Sequence, residues 1–384
     1  MNYKTQGFIS FQNKSVQTLE GAVSKPEKSS NKTRSENAYF NVRSSPQLTF
    51  RRAELVSVKL LSMTIGSNKS TRAVSRFLEV SILYGNALDS QPKTGGVNID
   101  AFGVQVNING GTGDDVINGI GSQVNVYGGS GNDVLSGYGL QTNVYGGSGN
   151  DVLRGHGSQV NLHGGTGNDV LRGYGLQSNL YGGSGDDRLN AYSDQANVDG
   201  GIGNDVINAH AAQLNAYGGS GNDVIYATGL QLNIDGGQGN DAINASGLQV
   251  NIDGGQGDDV IDASGLQANI NAGKGNDTLN LISVQAANIQ YLKGDGHDII
   301  KGARQNSTVN IGPGLTFEQA TFSSKNGDIT IHFGESNGSI TIQDYKRFGI
   351  PKIQFADGYS LGAQDFITLA GGVIKGFNMG SVYI

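Results

Sequence analysis

The sequence predicts an all-β fold: a parallel β-solenoid, or roll, of ten 18-residue coils with a small N-terminal element and a β-rich C-terminal cap. Two observations predict it. A glycine-rich hexapeptide recurs every 18 residues, from Gly110-Gly111-Thr112-Gly113-Asp114-Asp115 through Gly128-Gly129-Ser130-Gly131-Asn132-Asp133 to Ala272-Gly273-Lys274-Gly275-Asn276-Asp277. The spacing holds without a slip across all ten copies. Between hexapeptides, apolar residues such as Val126, Val144, Leu162, Ile234 and Ile252 alternate with polar ones, as in a strand with one buried face. A strict period of this kind means units that bury their apolar faces only against their neighbours. Positions within a coil are numbered 1–18 from the first residue of the hexapeptide, so coil 1 is residues 110–127.

Residues 1–95 form a basic N-terminal segment with 14 Lys/Arg against 6 Asp/Glu. Met1 to about Ser45 is rich in Ser, Asn, Lys, Thr and Gln and is expected to be flexible. It contains no apolar stretch of the kind found in a cleaved secretory signal. Leu55 to Leu61 reads as a strand. Val74, Phe77 and Leu78 have helical spacing, whereas Leu78, Val80 and Ile82 alternate like a strand, so this stretch reads both ways. Arg43, Arg51, Arg52, Lys59, Lys69, Arg72 and Arg76 are scattered through it. A capping element with a solvated face accounts for them, because solenoids need covered ends; a basic docking surface is the alternative.

Residues 96–292 form the roll. Glycines at positions 1, 2 and 4 of the hexapeptide are expected to let the backbone take positive φ and approach itself closely. The carboxylate at position 6 recurs on every coil. Asp115, Asp133, Asp151, Asp169, Asp187, Asp205, Asp223, Asp241, Asp259 and Asp277 should therefore stack as a column. Parallel strands lie ~4.8 Å apart, and unit charges that close repel by ~1 kcal/mol per pair even in bulk water. A cation is expected between them. Carboxylates with backbone carbonyls are hard oxygen donors, the set that suits Ca²⁺.

The motif Gly-Gly-x-Gly-x-Asp-x-apolar-x resembles the nonapeptide of the RTX, or haemolysin-type, calcium-binding repeat, and Asp133-Val134-Leu135-Ser136 continues it. The resemblance covers nearly half the chain. It implies a parallel β-roll and calcium as the bound ion. The chain departs from the family pattern in one respect: only the odd nonapeptide carries the turn. The even one reads Gly137-Tyr138-Gly139-Leu140-Gln141-Thr142-Asn143-Val144-Tyr145, and its sixth place holds Thr142, Val124, Ser178, Leu214 or Ala268. None of these supplies a carboxylate. Calcium is therefore expected along one edge, and ten loops leave nine gaps.

The other half of each coil carries Gln-x-Asn, from Gln123 and Asn125 to Gln267 and Asn269. The residue two beyond the Asn is Tyr127, Tyr145, His163, Tyr181, Asp199, Tyr217, Asp235 or Asp253. Side-chain alternation points these columns outward. Two readings stand: amide ladders that hold coils in register, or a polar–aromatic face for polysaccharide or self-association, with Tyr127, Tyr145, Tyr181 and Tyr217 as the candidate ligand contacts.

Residues 293–384 follow a register break, since the step from Gly273 to Gly294 is 21 residues. Gly294-Asp295-Gly296-His297-Asp298 looks like one degenerate calcium turn, which adds Asp298 to the candidate ligands. Short strands are expected at 307–311, 328–333 and 339–342, with Asn326-Gly327 and Asn337-Gly338 as hairpin turns. Ile353-Gln354-Phe355-Ala356-Asp357-Gly358 resembles the domain that follows the repeats in many haemolysin-type proteins. In that family an uncleaved C-terminal signal directs export through a type I secretion channel, and the tail from Asp365 to Ile384 is compatible with one.

Charge and composition narrow the function classes. The 384 residues carry a net charge of −7 and no cysteine, so disulfides and thiol chemistry are absent. Residues 110–280 hold 18 Asp, no Glu and 4 Lys/Arg. Without metal such a segment should be expanded, and nucleic acid is not an expected partner. No transmembrane segment is expected. Catalytic signatures are missing: there is no His-Glu-x-x-His helix and no phosphate-binding loop, and the Gly-Ser-Gly serines lie in the turns. His156, His163 and His210 fall at outward places of the roll. The sequence is thus read as a secreted, extracellular or cell-surface calcium-binding roll without enzymatic activity, acting as a matrix or adhesin-type module. The alternatives are a carbohydrate-binding accessory module or a self-assembling fibre or layer component.

Overall fold

The computed structural model describes residues 54–59, 79–89, 93–334, 338–363 and 365. The readings for residues 1–53, 60–78 and 366–384 lie outside these. Within 93–311 the chain winds about twelve turns of parallel β-solenoid. Coils pair in register at a step of 18: Leu171 lies beside Leu153 and Leu189, and Asn179 beside Asn161 and Asn197. The stack starts before coil 1, because Asn98–Thr112 pairs with Val116–Ile120 and Gln123–Ser130. Glu54–Lys59, where the sequence predicts a strand, pairs antiparallel with Glu79–Asp89. That second strand runs parallel to Asn98–Asn107, so the strand reading holds from Glu79 onward.

Each coil folds its inward residues against each other. Positions 8, 15 and 17 are closed to solvent, as at Leu153, Val160 and Leu162. Position 10 is Gly in coils 1–4 and Ala in coils 5–9 because the opposite wall reaches it. A Cβ on Gly119 would meet the side chains of Val124, Val126 and Val106. Thr142 and Ser178, at the sixth place of the even nonapeptide, are fully buried in this core.

The 21-residue step does not end the stack. One extra residue is absorbed in a bulge after Asp262/Asn280, where the pairing shifts to Ser264/Ser283. Two more are absorbed in the Leu292–Asp295 turn, after which Gly275 pairs with Gly296 and Thr278 with Ile299. The C-terminal strands then continue both sheets. Thr308–Ile311 lies on Asn288–Tyr291, Ser339–Gln343 on His297–Lys301, and Lys352–Phe355 on Thr308–Ile311. Thr321–Lys325 and Asp328–His332 form the hairpin foreseen at Asn326-Gly327, both residues at positive φ. Tyr291, Phe333 and Phe355 are fully buried here and close the core.

Candidate metal-binding edge

The position-6 aspartates form the expected column. All ten from Asp115 to Asp277 are buried. Their two carboxylate oxygens have different roles. Oδ1 accepts the backbone N–H of the preceding coil's Asp: Asp133 Oδ1 from Asp115 at 2.8 Å, Asp169 Oδ1 from Asp151 at 2.7 Å, and so on to Asp277 Oδ1 from Asp259 at 2.7 Å. Oδ2 of each of the ten is buried without any hydrogen-bond partner. A row of ten orphaned, buried carboxylate oxygens needs a countercharge, because an unpaired buried charge is costly.

The surroundings of Oδ2 are oxygen-rich. A Cβ placed on Gly128 would come within 3.0 Å of both Asp133 Oδ2 and the carbonyl oxygen of Gly146 on the next coil. The same pair, own Asp and next coil's first carbonyl, surrounds position 1 in every coil from Gly110 to Gly254. This corrects one expectation. Positions 2 and 4 do take positive φ, as at Gly129 (114°) and Gly131 (126°), but position 1 does not. Position 1 is glycine for space. Coil 10 has Ala272 there, so the φ requirement is absent in practice as well.

Asp298 joins the column despite the 21-residue step. Its Oδ1 accepts the Asp277 N–H at 3.1 Å, and it is buried. The row of gaps grows from nine to ten. Hydrophobic residues end it: Val97 stands at position 6 before coil 1 and donates its N–H to Asp115 Oδ1, and Ile340 pairs with Asp298 at the other end. Burial pushes the carboxyls up, to about 6 at Asp115, about 7 at Asp169, Asp187, Asp205, Asp241 and Asp259, and about 8 at Asp298. The donated N–H opposes this shift, and neighbouring carboxylates add to it. No three His, Asp or Glu side chains converge on one point among the described residues. The donor set is therefore carboxylate plus main-chain carbonyl, and the hard oxygens present fit Ca²⁺.

Position 5 carries a second ladder that sequence reading missed. Asn150 N–H donates to Asn132 Oδ1 and Asn168 N–H to Asn150 Oδ1, continuing to His297 N–H on Asn276 Oδ1. It runs in the opposite sense to the Asp ladder. The recurrence of Asn or Asp before every position-6 Asp was its visible signal.

The Gln and Asn columns are ladders. Gln141 Nε2 donates to Gln159 Oε1 at 3.1 Å, and Asn161 Nδ2 to Asn143 Oδ1 at 2.7 Å. Eight such Gln bonds and nine such Asn bonds run along the stack, in opposite directions. The tyrosine column, the candidate ligand face, is in part a ring stack. Tyr127, Tyr145, His163 and Tyr181 stack with ring centroids 4.6–4.9 Å apart and planes within 10°. Inner rings thus present edges outward, and the faces a sugar would stack on are occupied by neighbours. Tyr217 stands outside this stack, separated from Tyr181 by Asp199 in register. A second stack, Tyr138, His156, Tyr174, Tyr192 and His210, runs at position 11 with spacings of 4.7–5.2 Å. It too was legible as an 18-residue recurrence and was missed. No helix among the described residues is long and apolar enough to cross a membrane.

Comparison with known proteins agrees with this geometry. The model of the RTX calcium-binding nonapeptide repeat matches four stretches of the chain, residues 124–139, 161–175, 178–207 and 215–229. No curated protein matches.

Proposed function

Starting from a chain that carries RTX calcium-binding nonapeptide repeats, we propose that it is a secreted, non-enzymatic calcium-binding roll whose folding and calcium loading are one event. The eleven carboxylates Asp115, Asp133, Asp151, Asp169, Asp187, Asp205, Asp223, Asp241, Asp259, Asp277 and Asp298 hold the ions along one edge. The observation that carries this reading is the row of ten buried Oδ2 atoms without partners, nine of them, Asp115 to Asp259, beside a main-chain carbonyl of the next coil. Bound calcium supplies the countercharge that lets these carboxylates remain ionised inside the roll.

The chain's own groups do the rest. Oδ1 of each Asp ties its coil to the preceding one, and Oδ2 faces the following one, so loading one gap orders two coils. Sites of this open, carbonyl-rich type in extracellular modules bind at ~10⁻⁴–10⁻³ M. Such affinity suits a chain that stays unfolded at low cellular calcium and folds outside. Export through a type I channel and an extracellular matrix or adhesin role rest on the family resemblance. A polysaccharide-binding role through Tyr127, Tyr145, Tyr181 and Tyr217 has less support, since three of the four are occupied in a stack.

Isothermal calcium titration with circular dichroism on the full chain tests the reading. The expected result is uptake of several ions together with a gain of sheet signal. Sheet signal that is complete in chelator and unaltered by calcium would sink it.

A further inference from the structure

The two outward faces of the roll are unlike. The face built from positions 14, 16 and 18 is covered by amide ladders whose hydrogen bonds are made within it. The face built from positions 7, 9 and 11 carries the second aromatic stack and a valine column, exposed at Val116, Val134 and Val260 and half-buried at Val152, Val170, Val206 and Val224. Val116, Val134, Val260, Tyr138, Tyr192 and Tyr226 on this face are each 38–49% exposed. Tyr127, Tyr181 and Tyr217 on the other face are exposed to a similar extent, so it is charge and side-chain size, together with this apolar area, that set the position 7/9/11 face apart.

The charges of this face say which partner. Arg154, Arg172 and Arg188 are the only Lys or Arg between Lys93 and Lys274, and all three lie here on consecutive coils 3, 4 and 5. Arg154 and Arg172 are direct cross-strand neighbours, an arrangement that like charge makes unfavourable. Among the described residues none of the three guanidinium groups has a hydrogen bond or ion pair. On the same face, at position 9 of coil 9, sits Asp262, beside Asn280 of coil 10. Between coils 1 and 10 the face is therefore cationic at coils 3–5 and acidic at coil 9, with Asp100 and Lys301 continuing the position-9 column beyond its two ends.

Side-chain size is graded in the same way. The position-11 column is bulky from Tyr138 to His210 and small at Thr228, Ser246 and Ser264. A second copy, related by a two-fold axis parallel to the strands and passing between coils 6 and 7, brings coil 4 opposite coil 9, coil 5 opposite coil 8 and coil 6 opposite coil 7. Arg172 then faces Asp262, Tyr174 faces Ser264, Tyr192 faces Ser246 and His210 faces Thr228. Val170 meets Val260, and Val206 meets Val224. Each of these rings meets a small side chain and Arg172 meets Asp262, twice over as an isologous interface requires, while Arg154 falls opposite Asn280 and Arg188 opposite Ala242.

We infer that the position 7/9/11 face is the interface of an antiparallel homodimer of this chain. Its size fits. With coil 3 opposite coil 10 as well, eight coils at ~4.8 Å and five residues at ~3.3 Å give roughly 650 Å² per partner, or roughly 1,300 Å² in total, at the lower end of the range of specific interfaces. The inference rests on the roll being folded, and so on calcium loading.

The test uses the full chain in calcium, with sedimentation velocity across concentration and the calcium-dependent sheet spectrum recorded on the same samples. The parent is expected to dimerise. Arg172→Asp and Asp262→Arg are each expected to weaken the dimer about tenfold or more, because each homodimer then holds two like-charge pairs. Mixing the two variants is expected to restore a heterodimer, since both cross-pairs are again opposite in sign. A mixture that stays monomeric, or single variants that dimerise like the parent, would overturn the proposal. So would a monomeric parent, including one that binds an acidic polysaccharide through Arg172, which would give the face to a glycan. A normal calcium-dependent sheet spectrum in such a case keeps the failure of the dimer separate from that of the calcium reading.

Discussion

Asp133 Oδ1 accepts the backbone N–H of Asp115 at 2.8 Å, one coil away, while Asp133 Oδ2 is buried with no partner. One carboxylate thus does two unlike things. Its first oxygen satisfies a backbone donor, worth about 1 kcal/mol net. Its second carries a charge that the protein itself leaves unmatched. Repeated ten times, this arrangement makes the metal-free roll unfavourable, and it leads directly to several measurable consequences.

Removing calcium with a chelator should convert the chain's sheet spectrum to that of an expanded coil, and adding calcium back should restore it. Far-ultraviolet circular dichroism during such a cycle checks this. Retention of the full sheet signal in chelator would count against it.

Asp169→Ala and Gln159→Ala should separate the two edges. The first removes an oxygen pair from the column, so calcium stoichiometry should fall by at least one. It also strands the Asp151 N–H that Asp169 Oδ1 accepts at 2.7 Å, at a further ~1–3 kcal/mol. The second breaks two exposed ladder bonds, Gln141 to Gln159 and Gln159 to Gln177, and should leave stoichiometry unchanged. Titration calorimetry decides, and equal metal loss in both variants contradicts the one-edge assignment.

Gly146→Ala should weaken calcium binding without touching a carboxylate. The new Cβ would lie within 3.0 Å of Asp151 Oδ2 and the Gly164 carbonyl oxygen, so both must move. A destabilisation of roughly 2–4 kcal/mol is expected from overpacking at a buried polar site. Chemical denaturation in saturating calcium measures it; an unchanged midpoint would show that position 1 has room.

Acid should act in opposite directions on the metal-free and the calcium-loaded chain. The folded carboxyls of Asp169, Asp187, Asp205, Asp241 and Asp259 are pushed up to about 7 from 3.8. The folded state therefore holds more protons than the unfolded one between pH 4 and 7. Without metal, its stability should be greatest below about pH 4 and be lost as pH rises through about 7. In calcium, protons compete for the same carboxylates, so apparent affinity should fall on acidification. Calcium titrations at pH 7.5 and 5.5 read this, and an affinity independent of pH would refute it.

Tyr145→Ser should cost stability instead of a ligand. Tyr145 stacks between Tyr127 and His163 at 4.8 and 4.9 Å, and each such pair contributes ~0.5–1.5 kcal/mol beyond area burial. A drop of about 2 kcal/mol in calcium-loaded stability is expected, with glycan-array binding no different from the parent. A selective loss of glycan binding at unchanged stability would restore the ligand-face reading.

Much of this molecule was readable from period alone. In a parallel in-register stack, residues 18 apart must become neighbours, so the recurrence of Asp, Gln and Asn already named the columns. Alternation within the coil named their side of the sheet, which is why Val126 and Leu162 fell inside and Gln159 outside. The step of 21 concealed continuity, however. The surplus residues are absorbed at two separate places, the bulge after Asn280 and the Leu292–Asp295 turn, and Asp298 returns to the column. In the position-11 stack Tyr and His are mixed and give way to Thr228, Ser246 and Ser264, so residue identity varies along the column while ring shape repeats over only five coils.

By itself, then, the sequence determined the one-dimensional order of this protein: which residues stack and on which side, but not how far the stack runs, which is about twelve turns and not ten. That order follows from covalent spacing and the two-residue alternation of a strand. Only the tertiary structure decided how each stacked group divides its atoms among its neighbours. It placed Asp Oδ1 on the coil before and Oδ2 toward the coil after, required glycine at position 1 for space and not for φ, and turned the tyrosine faces upon each other. These outcomes depend on distances between chains that lie side by side, and a linear pattern does not contain those distances.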